Sequence, residues 1–208
     1  MSKGNLFVIS GPSGAGKTSL GLKLVNEEAS LHFSVSYTTR RPRRVETHGV
    51  EYFFVSEDDF KGMVSRGDFL EHALVHGNYY GTSHNHVLSA LDSGDDVLLD
   101  VDVQGALQIM ELRQIPDAVT VFVLPPSRQV LEQRLKKRGL DDVGAIEARL
   151  RRAEEEIALF GRYQYVIIND DFKRASLELR SIIQSARASM RSRSAEAEQV
   201  LKTFKEIE

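Results

Sequence analysis

Hydrophobic positions in this chain fall into short continuous runs separated by longer stretches of mixed character. The first run is Leu6-Phe7-Val8-Ile9, followed at once by a glycine-rich turn, and others are Val97-Leu98-Leu99, Val119 to Leu124 and Val166-Ile167-Ile168. A run that is apolar at every position suits a strand buried on both faces, as in the centre of a parallel sheet. Between the runs lie proline-free segments that predict helices: one carrying Leu20, Leu22, Leu24 and Val25 and ending near Ala29, then Val103 to Arg113, Ser127 to Arg138 and Val143 to Phe160. Strands alternating with helices of this length predict an α/β fold in three layers around a mostly parallel central sheet.

The stretch from His32 to Asp92 has a different texture. It is rich in Phe and Tyr, alternates polar with apolar positions and contains an arginine cluster. Phe33-Ser34-Val35-Ser36-Tyr37 and Val50 to Val55 predict short strands. Ser56 with Asp59 has the form of an N-cap before Phe60, Met63 and Val64, which repeat at helical spacing. This part reads as a mixed α+β insertion, residues 33–92, on a sheet core. From Asp171 the pattern is again helical, with Leu177, Leu179, Ile182 and Ile183, and after Ala186 it becomes a charged, Ala-rich helical tail. No internal repeat or low-complexity linker divides the chain, so a single domain is expected.

Composition narrows the function classes. With 27 basic and 30 acidic residues and a formal net charge of -3, the chain lacks the basic excess of a general nucleic-acid or anionic-membrane binder. The absence of cysteine excludes disulfides and thiolate metal sites and fits a reducing compartment. The apolar run near the N-terminus is too short for a signal-peptide core, and no stretch approaches the length of a membrane span. A cytoplasmic protein with no membrane and no nucleic-acid partner is expected; monomer and homo-oligomer both stay open.

The glycine-rich turn carries the chemistry. Gly11-Pro12-Ser13-Gly14-Ala15-Gly16-Lys17-Thr18 fits G-x-x-x-x-G-K-[ST], the P-loop. Glycines let backbone N–H groups turn inward around phosphate oxygens, and the following helix offers its positive end. Lys17 reaches the β- and γ-phosphates, and the Thr18 hydroxyl is a ligand for Mg²⁺. Val97-Leu98-Leu99-Asp100, an apolar strand ending in a carboxylate, has the form of a Walker-B element near that ion, directly or through water.

Further segments extend the pattern. Gly11 to Ser19, Phe33 to Arg40, Pro42-Arg43, Gly49 to Phe54, Gly77-Asn78-Tyr79-Tyr80-Gly81-Thr82, Leu99 to Gly105, Pro125-Pro126-Ser127 and Ile168-Asn169-Asp170-Asp171 together resemble the guanylate kinase family over residues 4 to 185. The resemblance implies a P-loop core (residues 1–32, 93–134 and 150–185), an insertion at 33–92 that binds the acceptor GMP, a helical lid at about 135–149 and a tail at 186–208. It implies ATP bound by Gly11 to Ser19 with Asn169 beside the adenine, and Arg134, Arg138 and Arg149 clamping the transferred phosphate. Arg40, Arg43, Tyr52 and Tyr80 would hold the GMP phosphate; a phosphomonoester of about two negative charges needs such clustered cations and hydroxyls. Glu71, assisted by Asp102, would accept from the paired N–H groups of guanine, with Ser36 and Thr82 on the base and Asp100 nearby. Lys17, Arg40, Arg134, Arg138 and Arg149 form the implied catalytic set, with Mg²⁺ as cofactor. The chain departs from the family pattern after Arg43, where Arg44-Val45-Glu46 stands in place of a glycine before the next glutamate.

The expected reaction is in-line transfer of the ATP γ-phosphoryl group to GMP, and also dGMP, giving a diphosphate and ADP. The attacking phosphate oxygen is ionised near neutrality, so no general base is required, and the histidines read as ordinary polar positions. Two other readings are a non-catalytic guanylate-kinase-like module that binds a protein, and a P-loop kinase for another phosphorylated acceptor. An intact Lys17 and Thr18 argue against the first, and the Ser36, Glu71 and Asp102 set against the second.

Overall fold

A computed structural model describes residues 3–43, 45–75, 77–112, 117–137 and 143–205. Along the chain run β1 (Leu6–Ser10), α1 (Lys17–Glu27), β2 (Leu31–Phe33), β3 (Ser36–Thr38), β4 (Tyr52–Phe54), α2 (Glu57–Arg66), β5 (Phe69–Val75), β6 (Asn78–Ser83), α3 (His84–Asp92), β7 (Asp96–Asp100), α4 (Val103–Glu111), β8 (Val119–Leu124), α5 (Arg128–Lys137), α6 (Val143–Ile157), β9 (Tyr165–Ile168), α7 (Phe172–Arg187) and α8 (Met190–Lys205).

The apolar runs pair side by side as one parallel sheet in the order β2-β7-β1-β8-β9. β1 lies at its centre and is buried along its whole length, which is why its run is apolar on both faces. Alternate residues feed two cores. Leu6 and Val8 face Leu99, Val103, Ile109, Phe122 and Tyr163, while Phe7 and Ile9 face Leu20, Leu24, Leu98, Val121, Ile167 and Leu179. Helices thus cover both faces, and every sheet strand points its carboxyl end the same way. Ligand sites in open sheets of this kind form outside those carboxyl ends.

The second sheet, in the order β4-β3-β6-β5, is mixed: β3 pairs with β4 in parallel and with β6 antiparallel. The sequence predicts one strand over Phe33 to Tyr37, whereas the structure divides it between the two sheets. β2 stays on the edge of the parallel sheet, where Ser34 N still donates to Leu98 O at 3.0 Å, and β3 opens the second sheet at Ser36. Periodicity cannot show such a crossing, because both halves are extended. α2 starts at the expected cap, with Asp59 N donating to Ser56 Oγ at 3.1 Å, and stops at Gly67 in the left-handed region. α3 follows the second sheet but packs Val87 and Leu91 into the main core. In α8 no described residue is buried.

Candidate functional site

The donor side is backbone held in an unusual shape. Gly11, Gly14 and Gly16 all have positive φ. At Gly11 (φ +134°) a Cβ would stand 2.3 Å from Val123 O, and at Gly16 (φ +100°) 2.3 Å from Asn169 Nδ2, so both positions require glycine. α1 begins at Lys17 without a side-chain cap, leaving its first amides open to an anion. The loop is braced from outside. Asn169, 4% exposed, donates from Nδ2 to Ala15 O at 2.7 Å, and Arg134 donates to Ala15 O at 3.3 Å and Asn169 O at 2.7 Å. Lys17 Nζ donates to Gly11 O at 2.7 Å and Pro12 O at 3.3 Å. Thr18 Oγ1 donates to Asp100 Oδ2, bringing a hydroxyl and a carboxylate together at the loop's end. Ser13, Thr18 and Ser19 are exposed. Arg149 is half-buried on α6, and Arg138 lies outside the described residues.

The acceptor side is side chains projected from the second sheet. Register places Ser36 opposite Tyr52, Thr38 opposite Tyr80 and Glu71 opposite Thr82. The rings of Tyr52 and Tyr80 meet edge-on at 5.8 Å, and the Arg40 guanidinium lies 5.3 Å from the centre of the Tyr52 ring. Arg40 Nη2 also donates to Glu46 Oε1 at 2.9 Å, while Glu46 Oε2 accepts from Arg43 N at 2.7 Å. Burial works against the Arg40 charge, but Glu46 and then Tyr80 together more than offset it and raise the pKa. Burial first, and then the Asp100 carboxylate, push the Tyr52 phenol up, so the acceptor tyrosines and the donor carboxylate share one field.

Glu71 is only 4% exposed, and its Oε1 accepts from Thr82 Oγ1 at 2.6 Å. Burial raises its pKa to about 7; the Thr82 hydrogen bond opposes that rise and nearby Asp102 reinforces it. Asp102 caps α4 through Gly105 N at 3.0 Å, and Gly105 is pressed against Glu71 so closely that a Cβ there would fall 2.3 Å from Oε2. The single Thr82 hydroxyl proton is engaged by Glu71. Sequence reasoning missed Glu46 and Arg152. Glu46 follows Arg43 by three residues, a spacing that could have suggested a local ion pair; Arg152 carries no local signal.

The hydroxyl of Thr18 and the carboxylate of Asp100 are hard oxygen donors of the kind Mg²⁺ takes when nucleotide phosphates and water complete its shell. No cluster of three or more His, Asp or Glu able to hold a metal occurs among the described residues, so the protein offers those two oxygens and no all-protein cage.

A phosphate-binding loop and a cluster of arginine, tyrosine and buried carboxylate meeting at Asp100 and Asp102 are what a phosphoryl donor and a phosphorylated acceptor together require. The class so defined is a P-loop kinase. Comparison with known proteins narrows it: the guanylate kinase family model matches residues 3–186. The guanylate kinase of Hahella chejuensis is 48% identical over 187 residues, covering 90% of this chain and 89% of that protein. That of Alcanivorax borkumensis is 49% identical over 185 residues, covering 89% and 88%. A crystal structure of guanylate kinase from Anaplasma phagocytophilum matches with a TM-score of 0.76 and 31% identity, over 92% of this chain and 90% of that one. The chain belongs to the guanylate kinase family.

Proposed function

We propose that this chain transfers the γ-phosphoryl group of ATP to GMP, and also to dGMP, giving ADP and the nucleoside diphosphate. It is a transferase of the nucleotide kinase type. The observation that carries the acceptor assignment is the buried Glu71 carboxylate beside Thr82 and Asp102, reached from the same strand ends as the P-loop. Guanine presents adjacent N–H donors to such a carboxylate and a carbonyl to the Ser36 hydroxyl. Adenine lacks that pattern and would leave buried polar groups unpaired.

Arg40, Arg43, Tyr52 and Tyr80 hold the acceptor phosphate, with Glu46 keeping Arg40 folded back over Tyr52 until the phosphate arrives. Lys17 leaves the Gly11 and Pro12 carbonyls for the donor phosphates, while Arg134 and Arg149 neutralise charge on the transferred group. Thr18 and Asp100 would hold Mg²⁺, which would supply charge neutralisation and alignment of the donor phosphates. The attacking oxygen is already anionic, so positioning and electrostatics carry the catalysis. The division into core, acceptor insertion at 33–92 and donor-side lid at 135–149 belongs to this reading, as does a cytoplasmic location. No helix among the described residues is long and apolar enough to cross a membrane.

The test is ADP release from Mg-ATP with GMP, AMP, CMP or UMP as acceptor. Turnover confined to GMP is expected. Equal turnover of AMP would remove the guanine pocket, and none with any acceptor would favour the protein-binding module.

A further inference from the structure

Arg152 stands where the donor and acceptor halves meet, and the roles assigned above leave it without one. It lies on α6, whose Ile146, Leu150 and Ala153 pack with Leu131 and Leu135 of α5 beside the P-loop. Its guanidinium points toward the acceptor side: Nε donates to Glu156 Oε1 at 2.9 Å, and Nη2 is 3.6 Å from Asp102 Oδ2. The two Asp102 oxygens differ. Oδ1 is fixed by the Gly105 amide, whereas Oδ2 is buried and receives no hydrogen bond. A buried carboxylate oxygen without a donor is costly, and the guanidinium that could satisfy it is held just beyond hydrogen-bond distance by Glu156. Glu156 is half-buried and lies within the field of Lys17. A line of alternating charge therefore runs from the P-loop lysine through Glu156, Arg152 and Asp102 to the Gly105–Glu71 contact.

We infer that Arg152 is a positioning residue that couples the two nucleotide sites, closing onto Asp102 Oδ2 when the donor site fills and so fixing the carboxylates that read the acceptor base. The inference rests on the assignment of ATP to the P-loop and GMP to the Glu71 pocket. Donor phosphates draw on Lys17 and on Arg149, three residues before Arg152 on the same helix. A shift of α6 of under an ångström turns the 3.6 Å ion pair into a charge-assisted hydrogen bond. By linkage, GMP then favours the donor-bound position of α6 by the same factor.

The experiment is calorimetric titration of GMP into the protein, alone and saturated with Mg²⁺ and a non-hydrolysable ATP analogue. In the unmutated protein the analogue is expected to tighten GMP binding about tenfold. In Arg152→Gln that factor drops to about twofold or less, while GMP affinity without the analogue stays near its original value. Arg152→Lys restores part of the factor. Glu156→Gln releases Arg152 from its competitor and lets it close onto Asp102 without the donor, so GMP alone binds more tightly and the factor shrinks. A salt bridge that only stabilised α6 would give neither variant tighter GMP binding in the absence of the analogue. Full coupling in Arg152→Gln, GMP binding without the analogue no tighter in Glu156→Gln than in the unmutated protein, or no coupling in the unmutated protein overturns the inference. If GMP does not bind even alone, the acceptor assignment fails and the coupling falls with it.

Discussion

The donor half of this site presents backbone to its ligand, and the acceptor half presents side chains. Gly11 to Thr18 form a contiguous loop whose shape comes from three positive-φ glycines and is braced by Asn169 and Arg134. The acceptor surface is gathered from β3, β4, β5 and β6, where strand register sets the Ser36, Tyr52, Glu71, Tyr80 and Thr82 neighbours, and from the loop of Arg40, Arg43 and Glu46. A cradle of amides binds phosphate whatever base it carries. A pocket built on a buried carboxylate discriminates between bases, at a cost in stability whenever that carboxylate is charged and unpaired. The two halves should therefore fail separately when mutated.

The strongest test of that separation is Lys17→Ala. Its ammonium rests on loop carbonyls and touches no acceptor residue, so kcat is expected to fall by about 10²–10³ while the GMP dissociation constant changes by less than about twofold. Rapid-quench kinetics and equilibrium titration on the same preparation check it. A parallel loss of GMP affinity would erase the distinction between the halves.

Glu71→Gln tests the other half and has two readouts. Replacing the carboxylate by an amide turns one acceptor into a donor facing the guanine N–H groups, so the preference for GMP over AMP in kcat/KM drops by about 10²-fold. The second readout is stability. The ordinary carboxyl value is 4.5 and burial raises that of Glu71 to about 7, so between those pH values the folded protein binds more protons than the unfolded chain. Stability of the ligand-free protein consequently falls as pH rises from 4.5 to 7 and levels off above, by an amount on the order of 3 kcal/mol from this group. Urea unfolding at pH 5.5 and pH 8 should show that slope in the unmutated protein and a flatter one in Glu71→Gln. Equal slopes would mean that Glu71 is not held in a desolvating pocket.

The same contrast explains what the sequence could reveal. The donor loop was legible because its requirements are local: glycines at fixed spacing, then Lys17 and Thr18, between a fully apolar run and a helix. The parallel sheet was legible because β1, β7 and β8 are apolar on both faces. Glu71 carries no such mark; on a strand between Leu70 and His72 it reads like any surface carboxylate, and only the family resemblance pointed to it. The division of residues 33–37 between two sheets was hidden because extended chain looks alike in either. Asn169 donates its amide to Ala15 O, a contact 154 residues apart that no local pattern encodes. Arg152 and Asp102 likewise meet only through tertiary packing.

The smallest expected effect concerns the place where the chain departs from the family pattern. Val45 stands in the loop that presents Arg43. In the structure Glu46 N donates to Arg43 O at 3.0 Å and closes the turn, while the Val45 side chain is 89% exposed. The ties that hold the loop are instead those of Glu46 to Arg40 and to the Arg43 amide. Val45→Gly should accordingly leave the KM for GMP within about twofold, its main consequence being about 0.5–1 kcal/mol of stability lost through a freer unfolded chain. Glu46→Gln is the matched control, because it weakens both ties and should raise the GMP KM more than Val45→Gly does. If the ranking came out reversed, the turn's backbone rather than its carboxylate would be what places Arg40 and Arg43, and the acceptor half would be more like the donor half than its side chains suggest.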